Sequence, residues 1–358
     1  MNLLKVASAA VLILLSACST THKSENTMTK DSHQIALLLP MTGSVQNKAR
    51  PVNDGFFAAY TQSSSKNEIK VIDTAKNNDV VKMYDESQKL GAEFVVGPLE
   101  KNQVSRVAKE GRVRVTTLAL NYTEGRLPEK FYEFGLSPND EVNQIVARAW
   151  REGHRKVLIV VSDDHWGKNI ATLFSARWIT LGGSVITTVK LNNATNFMDQ
   201  LQTLVPDKND VKSPPFDVVL LASLPDQARS TASLLRFYGL IQVPIYATSS
   251  VYSGTPSRAD KDLDGVRLCD IPWVVAPTAE MMGATQQLRA LHPDADYDIR
   301  LYALGIDAYR VIPELPRLAS SSSARYKGLT GTLSIENQRI KRELAWGQFV
   351  NGEIIPLA

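Results

Sequence analysis

The sequence predicts an α/β protein of two lobes, each lobe a doubly wound, mostly parallel sheet, with three chain crossings between them. Three observations carry this. Short apolar runs such as Ile35–Leu39 (IALLL) and Asp217–Ala222 (DVVLLA) have little or no polar alternation, which suits strands covered on both faces, as in parallel sheets. Each run leads into a polar loop and then a helical stretch, the rhythm of right-handed βαβ crossovers. After Tyr132–Leu136 the rhythm pauses and restarts at Lys156 without sequence repetition.

Taken in order, the chain opens on a targeting segment. Lys5 is its positive flank, and Val6–Leu15 is an apolar core too short to span a bilayer stably. Leu15-Ser16-Ala17-Cys18 matches a lipobox, so residues 1–17 read as a lipoprotein signal peptide and Cys18 as the lipidation site. The alternative is an ordinary secretory signal cut near Ala17. Several acyl chains together anchor firmly where one does not. Ser19, not Asp, follows the cysteine, which by the bacterial sorting rule points to the outer membrane, facing the periplasm. Residues 18–32 read as the lipidated cysteine and a polar, flexible tether. Its stretch Thr20–Ser32 reaches at most about 45 Å.

The first lobe is expected over 33–136 and 272–326. Ile35–Leu39 is a strand that Pro40 stops, and Val52, Phe56, Phe57 and Tyr60 follow at helical spacing. Ile69–Asp73 is a strand, and Asp79–Leu90 a helix with Val80, Met83, Ser87 and Leu90 on one face, closed by Gly91. Glu93–Val96, helix Gln103–Glu110 and strand Val113–Leu118 continue the pattern. Tyr132–Leu136 leads to Ser137-Pro138-Asn139-Asp140, where Asn139 or Asp140 caps a helix over Glu141–Gly153.

The second lobe is expected over 137–271 and 327–358. Strand Lys156–Val161, loop Ser162–Gly167 and helix Lys168–Leu181 open it. Strand Val185–Leu191, helix Asn196–Leu204, strand Asp217–Ala222, helix Pro225–Tyr238 and strand Pro244–Thr248 follow. Leu268–Val275 crosses back to the first lobe, and helices Ala279–Leu291 and Asp298–Leu315 come next. The chain ends with strand Gly328–Ile335 and the hairpin partner Glu343–Val350. Asn351-Gly352 is a strong turn signal, and this terminal hairpin is expected on the second lobe.

Composition excludes some functions. Hydrophobic residues are 44% and charged residues 22% of the 358, ordinary for a globular chain. A net charge of +3 is too small to argue for a nucleic-acid partner. The two cysteines are Cys18 and Cys269; with Cys18 lipidated, Cys269 has no disulfide partner and reads as a small buried hydrophobe in VRLCDIP. No G-x-S-x-G, P-loop, G-x-G-x-x-G or H-E-x-x-H motif occurs. No catalytic residue, cofactor or metal site is expected, and the chain reads as a non-enzyme.

The loops after the strands carry the candidate cleft, since ligands in open α/β sheets sit at the strands' carboxyl ends. These are Thr42, Gly43 and Ser44; Pro98, Leu99 and Glu100; Asn121 and Tyr122. From the second lobe come Asp164, His165 and Trp166, within Ser162–Gly167. That loop either caps the following helix or lines the cleft, and it lacks further ligands for a metal. Trp166, Trp178, Trp273 and Trp346 are more readily core than partner surface.

The chain also carries a resemblance. IALLLPMTG followed by NDGFFAAY resembles the opening of the type I periplasmic binding protein fold. VVGPLEKNQV, TTLALN and GLTGTLSIENQRIKRELAWGQFVNGEIIPL are similar to segments of the LpoA-type (LppC) lipoproteins, activators of penicillin-binding proteins. The resemblance spans roughly Gln34 to the C-terminus. It implies an outer-membrane lipoprotein that binds a class A penicillin-binding protein and stimulates peptidoglycan synthesis. Such proteins commonly carry a helical-repeat domain before this one, where this chain has a short tether. In amino-acid-binding relatives the equivalent loops offer hydroxyls and backbone N–H groups to an α-carboxylate. Here Leu99, Glu100 and Leu120 do not. The competing expectation is a lipid-anchored receptor holding a small ligand (a sugar, peptide or wall fragment) in the interlobe cleft for a transporter.

Overall fold

The computed structural model describes residues 32–192, 194–205, 214–292 and 297–357. The expected signal peptide, Cys18 and all but the last residue of the tether lie outside them. The first βα series runs β1 (Gln34–Leu39), α1 (Gln46–Gln62), β2 (Glu68–Asp73), α2 (Val80–Lys89), β3 (Phe94–Val96), α3 (Lys101–Glu110), β4 (Thr116–Ala119) and β5 (Phe131–Glu133). The second runs α4 (Pro138–Arg151), β6 (Lys156–Ser162), α5 (His165–Thr180), β7 (Ser184–Leu191), α6 (Ala194–Leu204), β8 (Val218–Ala222), α7 (Pro225–Phe237), β9 (Ile245–Ala247) and β10 (Arg267–Asp270). Then come α8 (Pro272–Val275), α9 (Ala279–Leu291), α10 (Ile299–Val311), α11 (Leu315–Ser320), β11 (Tyr326–Lys327), β12 (Thr332–Glu336), β13 (Arg339–Glu343), β14 (Ala345–Val350) and β15 (Glu353–Leu357).

These strands form two sheets. One has the order β11-β12-β13-β5-β4-β3-β1-β2, the other β15-β14-β10-β9-β8-β6-β7. Pairing is parallel except at β11–β12, β12–β13, β10–β14 and β14–β15. Ile35–Leu39 is wholly buried, and so are β8 and all of β6 beyond Lys156, as unbroken apolar runs require. The chain passes between the sheets three times: from β5 to β6, after β10, and from β13 to β14.

Several local expectations are corrected. The stretch 327–358 was expected in the second lobe, but β11, β12 and β13 belong to the first sheet. β13 lies parallel to β5, with Arg339 opposite Glu133. The pair is an ion pair at 2.8 Å whose carboxylate is fully buried, and the Gln338 amide donates to Pro128 and Phe131 carbonyls. Asn337 and Gln338 both take positive φ, which suits a two-residue hairpin turn. Only the Asn351-Gly352 hairpin, β14–β15, adds to the second sheet. Leu268–Asp270 stays in that sheet, and the crossing follows it. Helix α4 is capped by Ser137, whose hydroxyl accepts from the Asn139 N–H, so it begins at Pro138. Helix α5 begins at His165, not Lys168, because Asp164 caps it. On α2 the buried face is Val80, Tyr84 and Ser87, since the Tyr84 hydroxyl pairs with Thr117 at 2.7 Å, while Leu90 is 60% exposed.

Two packing devices bind the first lobe. Helices α1 and α10 touch backbone to backbone: a Cβ at Gly55 would lie 2.0 Å from the Tyr302 carbonyl oxygen, and one at Gly305 2.0 Å from that of Val52. The GLTG segment wraps a buried carboxylate. Asp307 accepts from the N–H groups of Leu329 and Thr330 and from the Thr330 hydroxyl, at 2.7–2.9 Å. A Cβ on Gly328 would meet Asp307 Oδ2 at 2.6 Å. Asp307→Ala leaves three donors without their acceptor, so a loss of about 2–4 kcal/mol is expected in urea denaturation.

Candidate functional site

The loops at the carboxyl ends of β1, β3 and β4 border a cavity of about 550 Å³. Leu99, Leu120, Leu136, Leu301 and Leu304 supply its apolar wall, with Lys48, Glu100, Lys101 and Asn121 among its polar lining. Of the expected cleft residues the structure brings Leu99, Glu100 and Asn121 to this cavity. Thr42, Gly43, Ser44, Pro98, Tyr122, Asp164, His165 and Trp166 are not among its lining.

The polar groups of these loops are largely used within the protein. The Thr42 hydroxyl donates to Asp73 Oδ2 at 2.8 Å, and the Met41 N–H to Oδ1 at 2.9 Å. These contacts and the Ala75 N–H outweigh burial and lower the Asp73 pKa. Asn121 donates to the Leu99 carbonyl and accepts from the Tyr122 N–H. The Tyr122 hydroxyl turns to the sheet, donating to the Ile340 carbonyl at 2.7 Å. Burial pushes its pKa up. Asp164 accepts from the Gly167 N–H at 2.6 Å and so caps α5. His165 is exposed beside Asn169. Pro98 is buried. Trp178 and Trp273 are buried, and Trp166 and Trp346 partly so. Among the described residues no group of three or more His, Cys, Asp or Glu could hold a metal ion.

The strongest electrostatics lie at the crossings, where sequence reasoning named no functional residue. Arg300 of α10 meets both oxygens of buried Asp270 at the end of β10, at 2.5–3.0 Å, and donates to the Ser249 and Tyr252 carbonyls. Arg342 of β13 reaches Asp140 and the Ser137 carbonyl at the first crossing, each at 3.2 Å. Glu141 accepts from the Ser249 N–H and hydroxyl. Thus each crossing contributes to a hydrogen-bonded ion pair at the hinge. Cys269 is buried beside them as a free thiol; burial, then the charge of Glu141, pushes its pKa well up. The arginines and acids are scattered over 200 residues of sequence, and no local pattern marks them as a set.

Burial, reinforced by the nearby charge of Asp270, raises the Glu141 pKa from 4.5 to about 7. A raised folded-state value means that the protonated carboxyl contributes stability fully present below pH 4.5 and lost as pH rises through about 7. Glu141→Gln stays neutral and keeps a carbonyl for Ser249. Its stability relative to the unsubstituted chain is expected to improve from pH 5 to about pH 7 and then level off in parallel thermal melts.

Two lobes of mostly parallel sheet, three crossings, and loops converging at the strands' carboxyl ends define a periplasmic-binding-protein-like body. A family model described as "LppC putative lipoprotein" matches residues 21–352, and the chain belongs to that family. It is 27% identical over 356 residues to the penicillin-binding protein activator LpoA of Photobacterium profundum, covering 90% of this chain and 57% of that protein. Its structure is similar to the LpoA (YraM) C-domain of Haemophilus influenzae, described as a regulator of PBP1A. The TM-score is 0.76 at 25% identity, over 91% of this chain and all of that domain. Against full-length LpoA from the same organism the TM-score is 0.78, and 59% of that protein is covered. The chain therefore spans just over half the length of the relatives it matches.

Proposed function

We propose that this chain is a lipoprotein anchored through Cys18 in the outer membrane, facing the periplasm, where it binds and activates a class A penicillin-binding protein and so regulates peptidoglycan synthesis. The observation that carries the reading is the match to the LpoA C-domain over that domain's whole length. The cavity supports it: leucines form its wall and Asn121 spends its hydrogen bonds inside the protein, whereas a small-ligand receptor presents convergent polar groups to its solute. The ion pairs at the crossings favour a body that meets its partner by its surface. Regulation, not catalysis, is the activity this assigns.

The test is affinity capture from solubilised envelopes with the tagged chain, alongside thermal-shift screening against amino acids, sugars and muropeptides. Recovery of a class A penicillin-binding protein with no solute shift is the expected result. A shift of several degrees with one solute, and no synthase recovered, would instead mark a tethered receptor.

A further inference from the structure

Away from the cleft, a groove of about 760 Å³ runs between α4 and the β12–β13 hairpin. Six basic side chains line it against three acidic ones. Asp140 and Arg342 neutralise each other, which leaves five basic side chains against two acidic ones. The floor is built and rigid. The Gln144 amide bridges α4 to β13, donating to the Asp140 and Arg342 carbonyls and accepting from the Leu344 N–H at 2.8–3.1 Å. The Arg148 guanidinium lies 4.7 Å from the Trp346 ring centroid and bonds Glu152. Among the described residues, Arg151, Arg177 and Lys341 have no carboxylate within 4.0 Å.

We propose that this groove is a docking surface for an acidic segment of a protein partner, a stretch bearing several Asp or Glu carboxylates. Charge complementarity selects that occupant: arginines receive carboxylates as bidentate, directional pairs, and arginine with tryptophan is the common anchor composition of protein interfaces. The adjoining amide and hydroxyl groups of Asn143, Thr332 and Ser334 suit a peptide backbone. A lipid surface fits less well, because none of the exposed large hydrophobic residues lines the groove. The unpaired cations would also steer encounter, so binding should weaken as salt rises. The inference rests on the proposed function only for the partner's identity, a penicillin-binding protein.

The experiment uses the full chain purified in detergent and a fluorescent octaglutamate probe, with octalysine as control. Binding to octaglutamate that falls with added salt is expected, weakened at least tenfold in Arg151→Glu/Arg177→Glu, whose melting temperature should fall by only a few degrees, because neither side chain is ion-paired and each reversal opposes only the dipole at the last turn of its helix. No octaglutamate binding, equal binding by the variant, or preferential binding to phosphatidylglycerol vesicles through the same arginines would overturn it. In parallel the variant is tested for capture of the penicillin-binding protein. Capture retained while octaglutamate binding is lost would overturn the assignment of the groove to that partner and leave the proposed function standing. Octaglutamate binding without capture by the unsubstituted chain would sink the proposed function and support the groove with another acidic partner.

Discussion

Arg300→Met is expected to lower the unfolding free energy by about 3–5 kcal/mol, the usual cost of removing one partner of a buried ion pair. The substitution keeps most of the side-chain volume and removes the charge. Asp270, whose side chain is 1% exposed, would lose its bidentate partner. The Ser249 and Tyr252 carbonyls would each lose a donor. Glu141, already pushed upward by burial and by Asp270, would face that charge without the neighbouring cation. Chemical denaturation should show the loss as a lower midpoint at unchanged slope. Arg300→Met/Asp270→Leu should recover a good part of it, because the penalty lies in stranding a buried charge rather than in the worth of the pair. Destabilisation in the double variant equal to the sum of the singles would show that the two side chains act independently.

The second large effect is expected at the crossing of α1 and α10. Gly305→Ala puts a methyl 2.0 Å from the Val52 carbonyl oxygen and 2.9 Å from the Phe56 nitrogen. Both are backbone atoms, so no rotamer change relieves the clash and the helices must part. Overpacking typically costs about 1–3 kcal/mol, and a backbone collision belongs at or beyond the top of that range. The separation would also open contacts among Phe56, Tyr309 and Tyr60, whose rings meet edge to face at 5.2–5.9 Å. Gly283→Ala is the matched control. It lies within α9 with nothing near a built Cβ, and alanine there should stabilise by about 0.5–1 kcal/mol. Thermal melts of the two variants should therefore move in opposite directions.

What sequence reveals and what it hides follow from how local each signal is. Ile35–Leu39 and Asp217–Ala222 announce buried strands because every residue in the run must avoid water. Asn351-Gly352 announces a hairpin because few residues adopt positive φ cheaply. The partner of β13 is another matter. It pairs with β5 through Arg339 and Glu133, 206 residues apart, and no composition rule states which sheet a late strand will join. On helix α2 the expected face keeps Val80 and Ser87 but takes Tyr84 in place of Met83 and Leu90, because the tyrosine has a buried hydroxyl partner in Thr117 that its apolar appearance does not announce. The cleft loops were legible as loops from their position after strands. That their polar atoms are turned inward, on Asp73, Leu99 and Ile340, depends on tertiary neighbours. Arg300, Asp270, Glu141 and Arg342 read individually as ordinary charged residues; only folding makes them one hinge.

The measurement that bears most directly on the central claim is the rate of glycan-strand polymerisation by a purified class A penicillin-binding protein from the same cells, with and without the full chain in detergent. The expected result is a rate several times higher with the chain present, saturating with its concentration. An unchanged rate at saturating chain, with no complex detected between the two proteins, would contradict the regulator reading and return the 550 Å³ cleft cavity to consideration as a solute site.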